Sequence, residues 1–278
     1  MNLFGKGKNL NTTGYEGPKI DNSVFFKVRC FLRSNLFLNI LRLIALAVFI
    51  WSLFSIITWQ KDNMENKKLM DSLYSSIDFN NTIKVTDEDG ATVDALDFSK
   101  LEEKNKDVTG WIKVNGTNID YPIVQTKNNS FYLNHSFDKS YNSAGWIFMD
   151  YESNKAFKDP NTVIYGHNRR NNTMFSSLKK VIKEKWYSNS DNHIVTVYTP
   201  KKTLYYKVFS VYKIKYETYY ATTDFENDDE YSKFLKTITK RSVYNFNVNV
   251  DNSSKILTLS TCGDNKAYRI VLHGVLIN

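Results

Sequence analysis

The sequence predicts a mainly β domain, either a barrel or a sandwich, that follows a single transmembrane helix. Three observations lead to this prediction. In the C-terminal part of the chain, short runs of β-branched and aromatic residues are separated by Asn, Gly, Asp or Pro turns. One amphipathic helical pattern interrupts this series, and one uncharged stretch of membrane length precedes it.

The membrane-length stretch is residues 43–59, LIALAVFIWSLFSIITW, which contain no charge, and apolar residues at 36–40 extend it. Some twenty helical residues, at about 1.5 Å each, span about 30 Å, the thickness of the hydrocarbon core of a bilayer. Small residues that would form a cleavage site do not follow closely. The pattern therefore favours an uncleaved signal-anchor over a removed signal peptide, with a buried core helix as the alternative.

The net charge of +8 raises the hypothesis of nucleic-acid binding. Seven basic and two acidic residues within positions 1–42 supply +5 of this charge, which leaves +3 for the rest of the chain. That value is ordinary for a soluble domain and forms no basic stripe, so we expect no nucleic-acid partner. Positive charge before the span instead predicts a cytoplasmic N-terminus, with everything after residue 60 outside.

The stretch between the anchor and the β segments combines a helical pattern with a polar one. Residues 61–76 carry an apolar stripe of Leu69, Leu73 and Tyr74, which predicts a helical stalk. Residues 80–94 are polar and are predicted to be a loop. The predicted segments are a loose cytoplasmic tail (1–35), a transmembrane signal-anchor (36–59), a stalk and linker (60–97) and an extracytoplasmic domain (98–278).

The extracytoplasmic domain opens with a predicted helix over 98–106, begun by a capping box of Ser99 and Glu102. The period of the pattern then changes to that of strands. Eight strands are predicted, at 110–114, 119–124, 145–149, 162–165, 193–198, 204–216, 256–261 and 268–277.

One amphipathic helix is predicted over 228–241, DDEYSKFLKTITKR. Its apolar residues follow the i, i+3, i+4, i+7 spacing of a single helix face, with acids at its start and bases at its end. We expect this face, Tyr231, Phe234, Leu235 and Ile238, to pack on the β domain.

The predicted topology separates the only two cysteines, Cys30 in the cytoplasm and Cys262 outside, so they cannot pair. Cys262 ends one strand of a C-terminal hairpin and Arg269 begins the next, so both lie at the same end of the hairpin. A cation there can lower a cysteine's pKa or hold an oxyanion. Cys262 is therefore a candidate nucleophile, and a free structural cysteine is the alternative.

A nucleophile that expels an amine also requires a proton donor, and the chain offers four histidines. His167 follows a predicted strand and opens an Asn- and Arg-rich loop, which puts its imidazole at a rim. His273 lies about 13 Å beyond Arg269 at about 3.3 Å per residue, and is expected to be structural or exposed. His135 and His193 lie in polar surroundings. The histidines lack ligand companions, so no metal is expected.

Longer motifs carry a family resemblance. TLSTC at 258–262 with an Arg on the next strand, together with YGHNRRNNTMF at 165–175, resembles the sortases, the membrane-anchored cysteine transpeptidases of Gram-positive bacteria. Class B in particular is similar in the stretches GWIKVNGTNIDYPIVQ at 110–125, FYLNHSF at 131–137, GWIFMDY at 145–151 and TDFENDDEYSKFL at 223–235. The resemblance covers about residues 98–277. It implies an eight-stranded sortase β-barrel with N-terminal helices, in which 228–241 is the inserted helix that marks class B.

The resemblance also implies the site. Cys262 matches the nucleophile that attacks the Thr carbonyl of an NPxT-type sorting signal and forms a thioacyl enzyme. His167 matches the general acid and base, and Arg269 matches the arginine that stabilises the oxyanion and positions the substrate. The groove positions of class B correspond to Asn129, Leu133, Ser260, Tyr220 and Ala221. No cofactor is implied.

The turn after Cys262 is shorter than in class B members with a long loop there. Asp264 in this turn could orient a ring nitrogen or merely cap the turn.

The implied partners are a surface protein with a C-terminal sorting signal, a peptidoglycan precursor or cross-bridge amine, and the cell membrane. Anchoring is favoured over pilin polymerisation because no second hydrophobic span follows the last strand. The alternatives are a membrane-anchored cysteine hydrolase and a non-catalytic membrane-tethered binding domain. A papain-like hydrolase is disfavoured, because that fold places its cysteine at a helix start and ahead of its histidine.

Overall fold

The computed structural model describes residues 22–32, 34–87, 90–262 and 268–277. The chain divides into two compact units, Met1–Thr58 and Trp59–Asn278. In the first unit, helix α1 (Asn22–Leu32) is followed by helix α2 (Asn35–Tyr74), which continues into the second. The Ser34 hydroxyl accepts a hydrogen bond from the Phe37 N–H at 3.1 Å and so caps the start of α2.

Helix α1 corrects the prediction of a loose tail over its length. Its sequence, NSVFFKVRCFL, contains no Gly or Pro, and nothing in it prevents helix formation. Helix α2 is long and apolar enough to cross a membrane, and its most apolar stretch is not buried within the protein.

The part of α2 in the second unit is the predicted helical stalk. Leu73 is fully buried in the main core and Leu69 packs against it, as predicted, whereas Tyr74, the third residue of the predicted stripe, is exposed. Asn66 is also buried and donates a hydrogen bond to Asn142 Oδ1 at 3.2 Å. The stalk therefore packs on the β domain through both apolar and polar contacts.

The region predicted to be a loop contains a hairpin of strands β1 (Ile83–Thr86) and β2 (Thr92–Ala95). The hairpin was not predicted because its composition is polar. Most of its side chains are exposed, and only one, that of Ala95, is buried. Helix α3 (Ser99–Lys104) follows. The capping-box prediction was wrong: Ser99 is already helical, and its N–H donates to the Asp97 carboxylate at 2.9 Å.

All eight predicted strands form one closed barrel. The order around it is β10-β8-β7-β3-β4-β5-β6-β9. Most neighbours are antiparallel, whereas the β4–β5 and β6–β9 pairs are parallel. The strands are β3 (Val108–Val114), β4 (Asp120–Val124), β5 (Phe148–Met149), β6 (Asn161–Gly166), β7 (Ile194–Tyr198), β8 (Thr203–Lys215), β9 (Ile256–Cys262) and β10 (Tyr268–Leu276).

Between β6 and β7 lies the short helix α4 (Glu184–Tyr187), and between β8 and β9 lies the predicted amphipathic helix α5 (Asp228–Lys240). Asn227 caps α5 by accepting the Glu230 N–H at 3.0 Å. The four apolar residues of the predicted face are all buried, in a second core that they share with β8, β9 and β10. The inserted helix thus packs on the outside of the barrel, as predicted.

Candidate active site

Three neighbouring strands bring the predicted catalytic positions to one end of the barrel. Strand β9 lies between β6 and β10. In the antiparallel β9–β10 pair, Cys262 lies directly opposite Arg269. In the parallel β6–β9 pair, Gly166 lies opposite Thr261, and the next residues along the two chains are His167 and Cys262. The backbone register therefore places all three predicted catalytic residues at adjacent positions.

His167 is half-buried, and within the part of the chain that the structure describes its ring donates a hydrogen bond from Nε2 to the Leu133 carbonyl at 2.7 Å. Because a carbonyl only accepts, Nε2 carries a proton, and in the neutral ring the proton-accepting nitrogen is Nδ1. Burial lowers the pKa of His167 below its ordinary value. The bond to Leu133 opposes this effect, and the nearby Arg169 cation adds to it.

Gly145 lets the His167 ring and the 131–133 turn approach each other. Its φ is 59°, in the left-handed region that favours glycine. A Cβ at this position would lie 2.6 Å from the Tyr132 carbonyl oxygen and 2.8 Å from His167 Cδ2. The seat of the His167 ring thus depends on the absence of a side chain at position 145.

Arg269 projects from the start of β10. Its guanidinium lies 4.7 Å from the centre of the Tyr216 ring, and its Nη1 donates to the Tyr268 carbonyl at 3.0 Å. A planar guanidinium stacks on aromatic faces in this way and keeps several donors for other acceptors.

A cavity of about 310 Å³ opens at this end of the barrel. His167 and Arg269 both line it, as do all five predicted groove residues, Asn129, Leu133, Ser260, Tyr220 and Ala221. The Tyr220 hydroxyl and Ser260 Oγ are 2.9 Å apart and hydrogen-bonded. The structure thus brings together every predicted groove residue with two of the three predicted catalytic side chains.

The remaining predicted site residues are described only in part. Cys262 is described by its backbone position alone, and Asp264 lies outside the described residues.

Asp150, a buried carboxylate beside the cavity, was not predicted as a site residue. One of its oxygens, Oδ2, accepts hydrogen bonds from Asn129 Nδ2 and from the Tyr165 hydroxyl, both at 2.9 Å. Burial, with Asp150 as the next cause, raises the pKa of Tyr165, which stays protonated and donates. The signal was the FMD motif at 148–150, whose carboxylate follows a buried strand.

The other three histidines have structural partners. The His273 ring is completely buried and hydrogen-bonds Tyr212 and Thr258. Of the two predicted alternatives, structural or exposed, His273 is therefore structural. His135 stacks on Phe131 with ring centres 4.1 Å apart. His193 is buried against aromatic rings, with its Nε2 bonded to the Tyr187 carbonyl. Neither His135 nor His193 lines the cavity around His167.

Comparison with known proteins relates this chain to a family. Residues 112–277, more than half of the chain, match the sortase domain family. The chain belongs to the sortase family. Sortase B of Listeria monocytogenes is 33% identical over 255 residues, which cover 90% of this sortase and 99% of that relative.

Solved structures agree with this relationship. A crystal structure of sortase B from Bacillus anthracis has a TM-score of 0.68 with this sortase at 32% identity, covering 78% of this chain and 99% of that one. The Staphylococcus aureus sortase B–substrate complex has a TM-score of 0.61 at 32% identity, covering 82% and 99%. These relatives are class B members, which confirms the predicted class and the barrel fold and makes the chain a transpeptidase of the sortase family.

Proposed function

We propose that this sortase cleaves an NPxT-type sorting signal after its Thr and transfers the new carboxyl end to a cell-wall amine. Cys262 is the nucleophile, His167 the general acid and base, and Arg269 the oxyanion donor. The observation that carries the proposal is the register of β6, β9 and β10, which gives these three residues adjacent positions at one end of the barrel.

In the first step, the Cys262 thiol gives its proton to His167 and the sulfur bonds to the Thr carbonyl carbon. The carbonyl oxygen takes up negative charge, which the Arg269 guanidinium neutralises. The C–N bond then breaks, and the leaving amine takes the proton from His167. A thioester on Cys262 and a free peptide amine are the products of this half-reaction.

In the second step, an incoming amine attacks the thioester carbonyl and loses its proton to His167. The C–S bond breaks, and the thiolate recovers the proton as the new amide leaves. The bond from His167 Nε2 to Leu133 supports Nδ1 as the atom that carries this proton in both steps. Leu133 is also a cavity residue, so a bound peptide contacts the same turn that orients the base.

The cavity supports a peptide substrate. Its volume of about 310 Å³ is at the lower end of the range of ligand sites, and its lining combines apolar rings with a few polar groups. The structure of a Staphylococcus aureus relative is of a complex with a substrate. In this sortase we assign substrate contacts to Asn129, Leu133, Ser260, Tyr220 and Ala221.

We further propose that α2 anchors the sortase in the plasma membrane as a single span, with the N-terminus in the cytoplasm and the barrel outside. The support is its long apolar stretch, which the protein does not bury, and the basic residues that precede it. Protease added to intact cells should then digest the barrel and spare the first residues. Protection of the barrel would contradict this orientation.

The catalytic proposal is tested with the full chain in detergent, a quenched NPxT-type peptide and an amine acceptor. We expect cleavage and amide product from the unsubstituted chain, and loss of both in Cys262→Ala, His167→Ala and Arg269→Ala. Cleavage that survives Cys262→Ala would remove the nucleophile assignment. Cleavage without amine incorporation would favour a hydrolase, and no cleavage in any variant would favour a binding domain.

A further inference from the structure

One side of the cavity is an irregular segment, residues 216–222, which we call the groove wall. It contains a single 3₁₀ turn, Tyr219–Ala221, and includes the predicted substrate residues Tyr220 and Ala221. A segment without ladder hydrogen bonds depends on other partners to hold its backbone carbonyls. Two of these carbonyls, those of Tyr220 and Thr222, accept from the amide Nδ2 of Asn161, at 3.3 and 2.8 Å.

Asn161 is fully buried at the start of β6, and a hydrogen bond on the side away from the groove wall fixes the orientation of its amide. Because its Nδ2 faces two carbonyls, its Oδ1 faces the Thr258 hydroxyl on the neighbouring strand β9, which donates to it at 2.6 Å. Thr258 Oγ1 is also 2.8 Å from His273 Nδ1. The hydroxyl has one proton, already given to Asn161, so here it accepts and His273 Nδ1 donates.

The series of hydrogen bonds continues in the same direction beyond His273. With its proton on Nδ1, the neutral ring accepts at Nε2, where the Tyr212 hydroxyl donates at 2.8 Å. The guanidinium of Arg241, the residue that follows α5, lies 5.8 Å from the centre of the Tyr212 ring. Burial lowers the pKa of His273 to about 3 and so favours the neutral ring.

The chain of hydrogen bonds therefore runs in one direction, from Tyr212 through His273, Thr258 and Asn161 to the groove wall. Arg241 also forms a two-pronged ion pair with Glu217, which lies in the groove wall itself. The wall is thus held at two points, by the Asn161 amide and by the Arg241 guanidinium. Asn161, Thr258 and His273 each donate one bond or more and accept another, so removing one of these groups leaves its neighbours unpaired.

We propose that Asn161, Thr258 and His273 are positioning residues that hold the groove wall in the shape that receives the sorting signal. This inference rests on the proposed function for its claim that the wall contacts the peptide. It adds residues that do not line the cavity and that act on peptide binding through Tyr220 and Ala221.

The test uses the full chain in detergent and measures amide hydrogen exchange in residues 216–222. Thr258→Val removes the hydroxyl with little change of shape, and Asn161→Leu removes the two bonds to the wall. Thr258→Ser keeps the hydroxyl and is the rescue variant. Ser210→Ala is the matched control, because Ser210 is equally buried on β8 and bonds the Ile238 carbonyl at 2.6 Å outside the network.

We expect wall exchange to rise at least tenfold in Thr258→Val and Asn161→Leu, and to stay within twofold of the unsubstituted chain in Thr258→Ser and Ser210→Ala. For the quenched NPxT-type peptide, KM should rise about tenfold in the first two variants while kcat changes less than twofold. A general loss of stability would instead raise exchange in Ser210→Ala as well.

Wall exchange that is unchanged in Thr258→Val, or that rises equally in Ser210→Ala, would overturn the proposal. Faster exchange with an unchanged KM would overturn its claim on substrate binding. If the unsubstituted chain cleaves no peptide, the proposed function fails, whereas the exchange result still decides whether this network holds the wall. Should Asn161→Leu not fold, Thr258→Val alone carries the test.

Discussion

Arg269 lies directly opposite Cys262 in the antiparallel pairing of β9 and β10. Because β9 also pairs with β6, the position of Cys262 is flanked by Arg269 on one side and by the residue that follows β6, His167, on the other. A cation and an imidazole on opposite sides of one cysteine position are the arrangement that thiol acyl transfer requires. The local sequence motifs specify this arrangement, and strand register brings it about.

Removing the Arg269 guanidinium should lower kcat/KM for the peptide by about 10²–10³, the usual effect of losing an oxyanion donor. Arg269→Lys should restore little, because a lysine cannot reproduce the planar stacking on Tyr216. Lys213→Ala is the control, since its ammonium lies 4.7 Å from the Tyr268 ring and outside the cavity. Equal losses of kcat/KM in Arg269→Ala and Lys213→Ala, measured by steady-state kinetics, would contradict the role of Arg269.

A methyl group at position 145 should displace His167. Gly145→Ala adds about 1–2 kcal/mol of backbone strain and a 2.8 Å contact with His167 Cδ2. We expect kcat to fall at least tenfold. Gly90→Ala is matched in backbone, with φ of 83°, but its Cβ would have no atom within 4 Å, so kcat should not change. Equal kcat values in Gly145→Ala and Gly90→Ala would show that Gly145 does not position His167.

The Arg169 cation should help to keep His167 neutral. Burial is the main reason that the pKa of His167 is lowered, and Arg169 acts in the same direction. Arg169→Gln should therefore raise this pKa, as measured by NMR titration of the His167 ring. Arg170→Gln, a change at the exposed next residue, should leave it where it is. An unchanged or lower pKa in Arg169→Gln would contradict the electrostatic account.

Burial of neutral His273 should make stability depend on pH. Its folded pKa is about 3, whereas an unfolded histidine titrates near about 6.5. Between these values the unfolded chain binds a proton that the folded chain does not. The contribution of His273 to stability is therefore complete above pH 6.5 and is lost as the pH falls, by up to about 1.4 kcal/mol per pH unit.

Chemical unfolding at pH 5 to 7 measures this dependence. The slope of unfolding free energy against pH should be smaller in His273→Gln than in the unsubstituted chain. Ser210→Ala, which removes a neighbouring buried hydrogen bond and no titrating group, should keep the full slope. A slope that does not change in His273→Gln would show that the ring titrates alike in both states.

Asp150 should support peptide binding through Asn129. Asp150→Ala removes the acceptor of three hydrogen bonds, from Asn129, from Tyr165 and from the Glu152 N–H. We expect KM to rise several-fold with a smaller change in kcat. Asp138→Ala also removes a carboxylate that accepts local hydrogen bonds, but in an exposed turn, and should leave KM unchanged. A change in kcat alone would argue against a role of Asp150 in binding.

The residues alone predicted a barrel or a sandwich, because short β-branched and aromatic segments end at clear turns, and the family resemblance implied the eight-stranded barrel. Helix α5 was predicted because it carries an uninterrupted apolar face. The β1–β2 hairpin was missed because its side chains are mostly exposed and so lack the alternation that marks a half-buried strand. Ser99 was misplaced as a cap because Asp97, two residues earlier, offers the stronger acceptor.

The motifs specified the residues at the rim of the cavity, and long-range geometry decided the rest. The partners of His273 come from β8 and β9, 61 and 15 residues away in the chain, and no local pattern indicates them. Asp150 and Gly145 were visible only as letters within a motif, because their roles depend on the 129–133 segment folding against them.

The most direct test of the account is the intact mass of the full chain after brief exposure to an NPxT-type peptide without acceptor amine. We predict an added mass equal to the peptide through its Thr, less one water, lost on treatment with hydroxylamine and mapped to Cys262. An adduct on another residue, or an adduct that persists in Cys262→Ala, would contradict the thioacyl mechanism.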